Sequence, residues 1–297
     1  MTAGNESGLR GEMRYAESMA QHCSWRAGGP ARRLYRPADG ADLVNFLRRL
    51  PADELLLWIG LGSNLLVRDK GFSGTVVLTQ GCLVAVEFGD GELRAEAGVT
   101  CAKLAREVAR AGYTGLEFFA GIPGTVGGAL AMNAGAFGGE TWRHVSRVET
   151  VDRHGEVRLR PVADYDVGYR EVHGPAGEWF LAAWLRLETG DAQAAQRRIR
   201  ELLDKRAQTQ PTREPTCGST FRNPEGDHAA RLIEAAGLKG LCVGQACVSE
   251  KHANFIVNRG GASAADIEQL IKQIRERVAQ NSGVLLIPEV HIVGEAA

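Results

Sequence analysis

Between Glu117 and Phe137 the chain reads EFFAGIPGTVGGALAMNAGAF, with Gly121, Gly124, Gly127, Gly128 and Gly135 inside the stretch and Gly138 just beyond it. Ala129, Ala131, Ala134 and Ala136 fill most of the gaps. Side chains this small cannot build a core of their own. They let a backbone come very close to something else, and they can present N–H groups in turns whose positive φ glycine tolerates. Two readings follow: a surface that receives a diphosphate, or a crossover where chain packs tightly on chain with no ligand.

A second stretch has a related character. Leu55-Leu56-Leu57-Trp58-Ile59 is a continuous apolar run, which predicts a strand covered on both faces. It ends in Gly60-Leu61-Gly62-Ser63-Asn64-Leu65-Leu66-Val67, where Gly62 would admit a close ligand and Ser63 and Asn64 would donate hydrogen bonds. Taken alone, a plain β-turn is the simpler account of Gly62-Ser63-Asn64. No G-x-G-x-x-G follows a strand directly, and the elements do not alternate β-α-β-α, which argues against a Rossmann nucleotide site.

The remaining pattern is α+β with mixed sheets. Helices are predicted from Asp39 through Leu50, over 100–111, 192–206 and 229–236, and after a capping box at Ser263–Asp266. Strands are predicted at 33–35, 75–79, 83–88, 92–97, 148–152, 156–159, 179–187, 253–258 and 285–293, the last interrupted by Pro288. Residues 1–20 are polar and read as a weakly ordered arm, without the apolar segment of a signal peptide.

With 297 residues and a net charge of −1, the chain has room for about two domains and shows no nucleic-acid footprint. No stretch is long and apolar enough for membrane insertion. The six cysteines, at 23, 82, 101, 217, 242 and 247, form no C-x-x-C pair and read as small buried thiols of a reducing, cytoplasmic protein. Cys217 stands out because Gly218 and Ser219 follow it. The histidines show no ligand-like spacing, so no metal is expected.

Several separated stretches belong together. Trp25-Arg26-Ala27-Gly28-Gly29-Pro30, Gly62-Ser63-Asn64-Leu65-Leu66-Val67, Gly121-Ile122-Pro123-Gly124-Thr125-Val126-Gly127-Gly128 with Asn133-Ala134-Gly135-Ala136, Tyr169-Arg170, Gly218-Ser219-Thr220-Phe221-Arg222-Asn223-Pro224 and Pro288-Glu289-Val290 stand in one order. In that order the chain resembles the UDP-N-acetylenolpyruvoylglucosamine reductase family over about residues 20–294. The usual Tyr-Arg-x-Ser is here Tyr169-Arg170-Glu171-Val172, without the Ser, and the short interval to Ser219 is similar to the branch that lacks an extra tyrosine loop.

The resemblance implies an FAD-binding domain of the vanillyl-alcohol and p-cresol oxidase type over 21–190, with two lobes divided near residue 80. A linking helix over 191–210 and a smaller α+β substrate domain over 211–297 would follow. It implies non-covalent FAD, NADPH as co-substrate and UDP-N-acetylglucosamine enolpyruvate as the substrate that becomes UDP-N-acetylmuramate in peptidoglycan synthesis. It sets no oligomeric state. Cofactor contacts are expected from Gly60, Gly62, Ser63, Asn64, Leu65, Gly121, Pro123, Gly124, Thr125, Gly128, Ala129, Asn133, Gly135 and Ala136. Substrate contacts are expected from Tyr169, Arg222, Asn223, Lys251, His252 and Asn254.

Three residues would carry the chemistry. Arg170 has the fork to bind the enolpyruvyl carboxylate. Ser219 would deliver the proton, and Glu289 would polarise the enol or share that proton. The rival is a flavin oxidase of the same FAD fold acting on a sugar or hydroxy acid. Such oxidases often tether FAD through a histidine at the position of Gly62-Ser63-Asn64, and none is present here. A non-catalytic flavin-binding module would have no need of Arg170, Ser219 and Glu289 together.

Overall fold

The computed structural model describes residues 8–295, and their contacts sort the chain into two units, each discontinuous in sequence. The first comprises 8–15, Arg33–Gly60 and Gly74–Leu202, and the second Ala16–Arg32, Leu61–Ser73 and 203–295. A linear division would have left 21–32 and 61–73 with the first. They join the second because Trp25 and Leu66 are fully buried in its core.

The first unit is built on a five-stranded antiparallel sheet ordered Val157–Pro161, Val145–Asp152, Glu178–Arg186, Glu92–Glu96, Val86–Phe88. Leu181, Ala182, Ala183 and Leu185 of its central strand are buried, as are Val145, Val148 and Val151 beside them. A four-stranded sheet runs Glu12–Ser18, Pro30–Arg36, Phe72–Leu78, Leu56–Ile59, the last two parallel. Helix Gly40–Leu47 starts where the Asp39 carboxylate accepts from Asp42 N, and its Leu43, Phe46 and Leu47 pack with Tyr35, Val77, Val151 and Leu181. That core takes residues from both sides of position 80.

The second unit packs helices Ala229–Ala235 and Ala264–Ser282 on a three-stranded antiparallel sheet, Cys242–Val243, Ala246–Val248, Ile256–Asn258. The capping box at Ser263 forms as the sequence predicts, and Asp69 adds its carboxylate to the N–H groups of Ala264 and Ala265. Trp25 donates its indole N–H to Ile256 O at 2.7 Å. Strand His291–Val293 runs parallel to Leu65–Val67.

Four local expectations are corrected. Residues 12–18 form a strand, held in place by Arg10 N donating to Asp42 Oδ1 at 2.8 Å and Gly11 N to the Tyr35 hydroxyl at 3.2 Å; residues 1–7 of the expected arm lie outside the described residues. Leu56–Ile59 is the last strand of its sheet, and Leu55 before it is 58% exposed, so the apolar run is not covered on both faces. Of 285–293 only His291–Val293 is strand, which leaves Glu289 just outside it. Cys242 and Cys247 are joined in a disulfide, because the hairpin register sets them directly opposite each other; Cys23, Cys82, Cys101 and Cys217 are buried free thiols.

Candidate functional site

In the first unit the glycine-rich stretch is anchored before it begins. The Glu117 carboxylate accepts from the Thr114 hydroxyl at 2.6 Å and Gly115 N at 2.9 Å, and a short 3-10 turn, Glu117–Gly121, follows. Thr125 then caps a six-residue helix, Val126–Ala131. The first N–H groups of that helix are already spent, Val126 N on Val99 O at 2.8 Å and Gly127 N on Ala97 O at 2.9 Å. The expected presentation of N–H groups through positive φ does not occur at Gly121, Gly127, Gly128 or Gly135, and within the region it is confined to Asn133, Phe137 and Gly138.

The glycines serve close approach instead. A Cβ on Gly60 would lie 2.2 Å from Thr125 Oγ1, and one on Gly127 would lie 2.9 Å from Ala97 Cβ. Gly121 and Gly135 are equally confined, by Phe137 and by Gly139 O, each 2.4 Å from the Cβ position. Gly128 differs, since a Cβ there meets nothing nearer than Thr125 Oγ1 at 3.8 Å. Gly128, Gly127 and Gly60 line a cavity of about 160 Å³ with Trp58, Thr79, Ala97, Ala131, Glu178, Trp179 and Phe180. Trp58 and Trp179 stack at 5.1 Å, and the buried Trp58 Nε1 has no hydrogen-bond partner. Both tryptophans lie in strands, as their apolar surroundings in the sequence predict.

Tyr169 and Arg170 form the two-residue turn of a hairpin, Asp166–Gly168 with Glu171–His173. Arg170 takes a φ of +57°, a conformation L side chains rarely adopt. Its guanidinium donates to Asn133 O at 3.2 Å and Gly135 O at 3.0 Å and lies 5.0 Å from the Tyr169 ring. Asn133, itself 3% exposed, donates from Nδ2 to Gly168 O at 3.0 Å and accepts from Trp142 N at 3.1 Å. The expected cofactor residue Asn133 is therefore a strut between the glycine-rich stretch and the arginine hairpin. Pro123 and Gly128 are exposed, whereas Thr125 and Ala129 are buried.

In the second unit the turn at 62–65 faces protein. A Cβ on Gly62 would lie 1.8 Å from His22 O. Asn64 donates from Nδ2 to Glu289 O at 3.0 Å, and its own carbonyl accepts from His291 N at 3.1 Å. Leu65 is buried, and its carbonyl accepts from Cys23 Sγ at 2.7 Å. Ser63 remains half-buried. Asn64 thus bears on the placement of Glu289.

Ser219 and Glu289 belong to neighbouring segments. Phe221 bridges to Pro288, Glu289 N donates to Thr220 O at 2.8 Å, and Arg222 N donates to Ile287 O at 2.9 Å. Gly218 takes a φ of +74° with nothing within 4 Å of the Cβ position. On the other side of this segment stands Asn254, 3% exposed. Its carboxamide braces Phe221, accepting from Phe221 N at 3.0 Å and donating to Phe221 O at 2.8 Å.

Asn223 accepts from Ala229 N at 3.1 Å and closes the turn into helix Ala229–Ala235. Lys251 donates its ammonium to Ala207 O at 2.5 Å, beside a cavity of about 350 Å³ that it lines with Gln210, Thr212 and Arg213. His252 Nδ1 accepts from Asn254 N at 3.3 Å, and burial holds its pKa below the ordinary value. Burial pushes the Cys217 thiol up to about 11, which makes it inert as a nucleophile. Among the described residues no group of His, Cys, Asp and Glu could hold a metal, and no helix is long and apolar enough to cross a membrane.

Comparison with known proteins accounts for both units. Residues 31–159 match the family model described as FAD binding domain, and residues 210–293 match that of the UDP-N-acetylenolpyruvoylglucosamine reductase C-terminal domain. A reductase of that name from Alkalilimnicola ehrlichii is 68% identical over 286 residues, covering 96% of each chain. Another from Nitrosococcus oceani is 60% identical over 290 residues, covering 97% of each. The crystal structure of UDP-N-acetylenolpyruvylglucosamine reductase from Thermus caldophilus superposes with a TM-score of 0.81 at 33% identity, over 95% of this chain and 98% of that one.

Proposed function

The chain belongs to the UDP-N-acetylenolpyruvoylglucosamine reductase family, and from that premise we propose how its own residues carry the reaction. The protein is an FAD-dependent oxidoreductase of peptidoglycan synthesis. It reduces UDP-N-acetylglucosamine enolpyruvate to UDP-N-acetylmuramate, with NADPH as co-substrate. Such a step in making cell-wall precursor ties it to cell shape and division and to the cytoplasm.

The first unit fits the cofactor. The cavity beside Gly60, Gly127 and Gly128 is about 160 Å³, room for one part of a dinucleotide. Gly128 leaves its floor open, and the unpartnered Trp58 N–H is a donor waiting for an acceptor. Bound there, FAD supplies the hydride chemistry between NADPH and the terminal vinyl carbon of the substrate.

The chain's own tasks begin with the negative charge that then develops beside the substrate carboxylate. Arg170 stabilises that charge, its side chain steadied by Asn133 O and Gly135 O. Ser219 gives its hydroxyl proton to the carbon that bears the carboxylate. The carbanion is a strong base, so a weak acid suffices once it is placed. Glu289, in its protonated form, returns a proton to Ser219 and is itself reprotonated from solvent. Arg222 and Lys251 supply positive charge for the nucleotide diphosphate, while Tyr169 and His252 border the substrate.

The observation that carries these roles is the pairing of residues 220–222 with 287–289, which brings the backbones beside Ser219 and at Glu289 together. Ser219→Ala and Glu289→Gln, compared in H₂O and D₂O, test them. Ser219→Ala is expected to keep its flavin and its reduction by NADPH, while substrate-dependent reoxidation slows by roughly 10²–10⁴-fold. Reoxidation at the parent rate with an unchanged solvent isotope effect would remove Ser219 as the donor and leave Glu289 as the acid.

A further inference from the structure

We infer that Asn254 is a positioning residue for Ser219, a role that rests on Ser219 being the proton donor. Three hydrogen bonds run from this one residue to the two positions after Ser219. Its carbonyl accepts from Thr220 N at 2.8 Å, its Oδ1 accepts from Phe221 N at 3.0 Å, and its Nδ2 donates to Phe221 O at 2.8 Å. An amide that both accepts and donates across one backbone residue fixes that residue in two directions, as a paired strand would. Phe221 is 1% exposed in the core of the second unit, so the clamp is tied to a rigid body.

On the other side of Ser219 the nearest anchor is Cys217, two residues back, which is 4% exposed with its Sγ 3.2 Å from Ser24 Oγ. Gly218, at a φ of +74° with nothing within 4 Å of the Cβ position, supplies a turn and little more. On the C-terminal side the residue next to Ser219 is held directly, whereas on the N-terminal side Gly218 stands between it and the anchor at Cys217. The same two residues meet the segment of the second carboxylate, since Thr220 O accepts from Glu289 N at 2.8 Å. Asn254 is in turn held by its own turn, with its N–H on His252 Nδ1 at 3.3 Å and Phe255 N on His252 O at 3.0 Å. Loss of the carboxamide would let Ser219 swing on Gly218 relative to Glu289, with no change at the residues that line the first unit's cavity.

A double-mutant cycle on the flavin-loaded, full-length enzyme tests this. Asn254→Asp keeps size and one acceptor but loses the donor, and Asn254→Ser is the second variant should the aspartate unsettle the fold. Each is combined with Ser219→Ala. Flavin content and reduction by NADPH are expected at parent values for the single variants. Substrate-dependent reoxidation is expected to slow about 10²-fold, the cost of a misplaced group, with a raised solvent isotope effect. In the Ser219→Ala background the same change is expected to cost no more than about twofold, because the group it positions is gone.

Equal slowing in both backgrounds overturns the inference while leaving Ser219 as donor. Slowed NADPH reduction in step with lost flavin overturns it too, since Asn254 would then be a structural residue only. A Ser219→Ala enzyme that reoxidises at the parent rate removes the proposed donor and the positioning role with it.

Discussion

The glycine-rich stretch of the first unit and the Ser219 segment of the second are both glycine-bearing and both fixed in place, but by different physics. Around Gly60, Gly121, Gly127 and Gly135 the chain is held because atoms approach where a methyl group would already collide. Before Ser219 the glycine has nothing within 4 Å of its Cβ position, and a buried asparagine clamps Thr220 and Phe221 instead. A surface meant to press against a cofactor can be made by removing side chains. A hydroxyl that must meet a reacting carbon needs a side chain to aim it.

The sharpest break of this comparison lies between two adjacent glycines. Gly127→Leu forces a side chain against Ala97 and is expected to cost about 1–3 kcal/mol by overpacking, with lost flavin and a lowered melting temperature. Gly128→Leu meets no protein atom closer than 3.8 Å at its Cβ. It is expected to melt at or above the temperature of the flavin-free parent, since leucine favours helix over glycine by up to about 1 kcal/mol, and yet to purify colourless. A yellow Gly128→Leu enzyme would show that this face does not hold the cofactor.

Arg170 carries features of both regions, a strained backbone and a polar clamp. Arg170→Lys keeps the charge and loses the fork that reaches Asn133 O and Gly135 O. Flavin and its reduction by NADPH are expected to survive, while reoxidation by the substrate falls on the order of 10²–10³-fold. Unchanged reoxidation would contradict the role.

The smallest effect is a pH dependence confined to the clamp. Burial depresses the His252 pKa, and its neutral Nδ1 accepts from Asn254 N. A depressed value means stability that is fully present above the unfolded value of about 6.5 and is lost as pH falls through the lower folded value. Acidification across that window is expected to lower the urea midpoint of the parent more than that of His252→Gln. Parallel curves would show that His252 does not couple protonation to the fold.

The family, the FAD-binding domain and much of the secondary structure were legible in the sequence, because they rest on local signals. Thr100 and Ser263 each cap the helix that follows, and the apolar spacing after Ser263 gives helix Ala264–Ser282. What was hidden depends on partners distant in the chain. Nothing local says that Leu65–Val67 pairs with His291–Val293, or that Trp25 completes the core of the second unit. The disulfide escaped because a spacing of five becomes a pair only in a hairpin of that register. In the candidate site, Ser219, Arg170 and Glu289 stood out by family pattern, whereas Asn133, Asn64 and Asn254 were read as ligand contacts. An asparagine that binds a ligand and one that braces a backbone look alike until the partner of each amide is known.

The central claim is that electrons pass from NADPH through bound FAD to an enolpyruvyl group. Sequential-mixing stopped-flow spectroscopy of the flavin absorbance, with the enolpyruvyl substrate or oxygen as the second addition, tests it most directly. The account predicts that NADPH bleaches the flavin and that UDP-N-acetylglucosamine enolpyruvate restores its colour quickly, with UDP-N-acetylmuramate formed in step. Colour restored by oxygen and not by the enolpyruvyl substrate would contradict it.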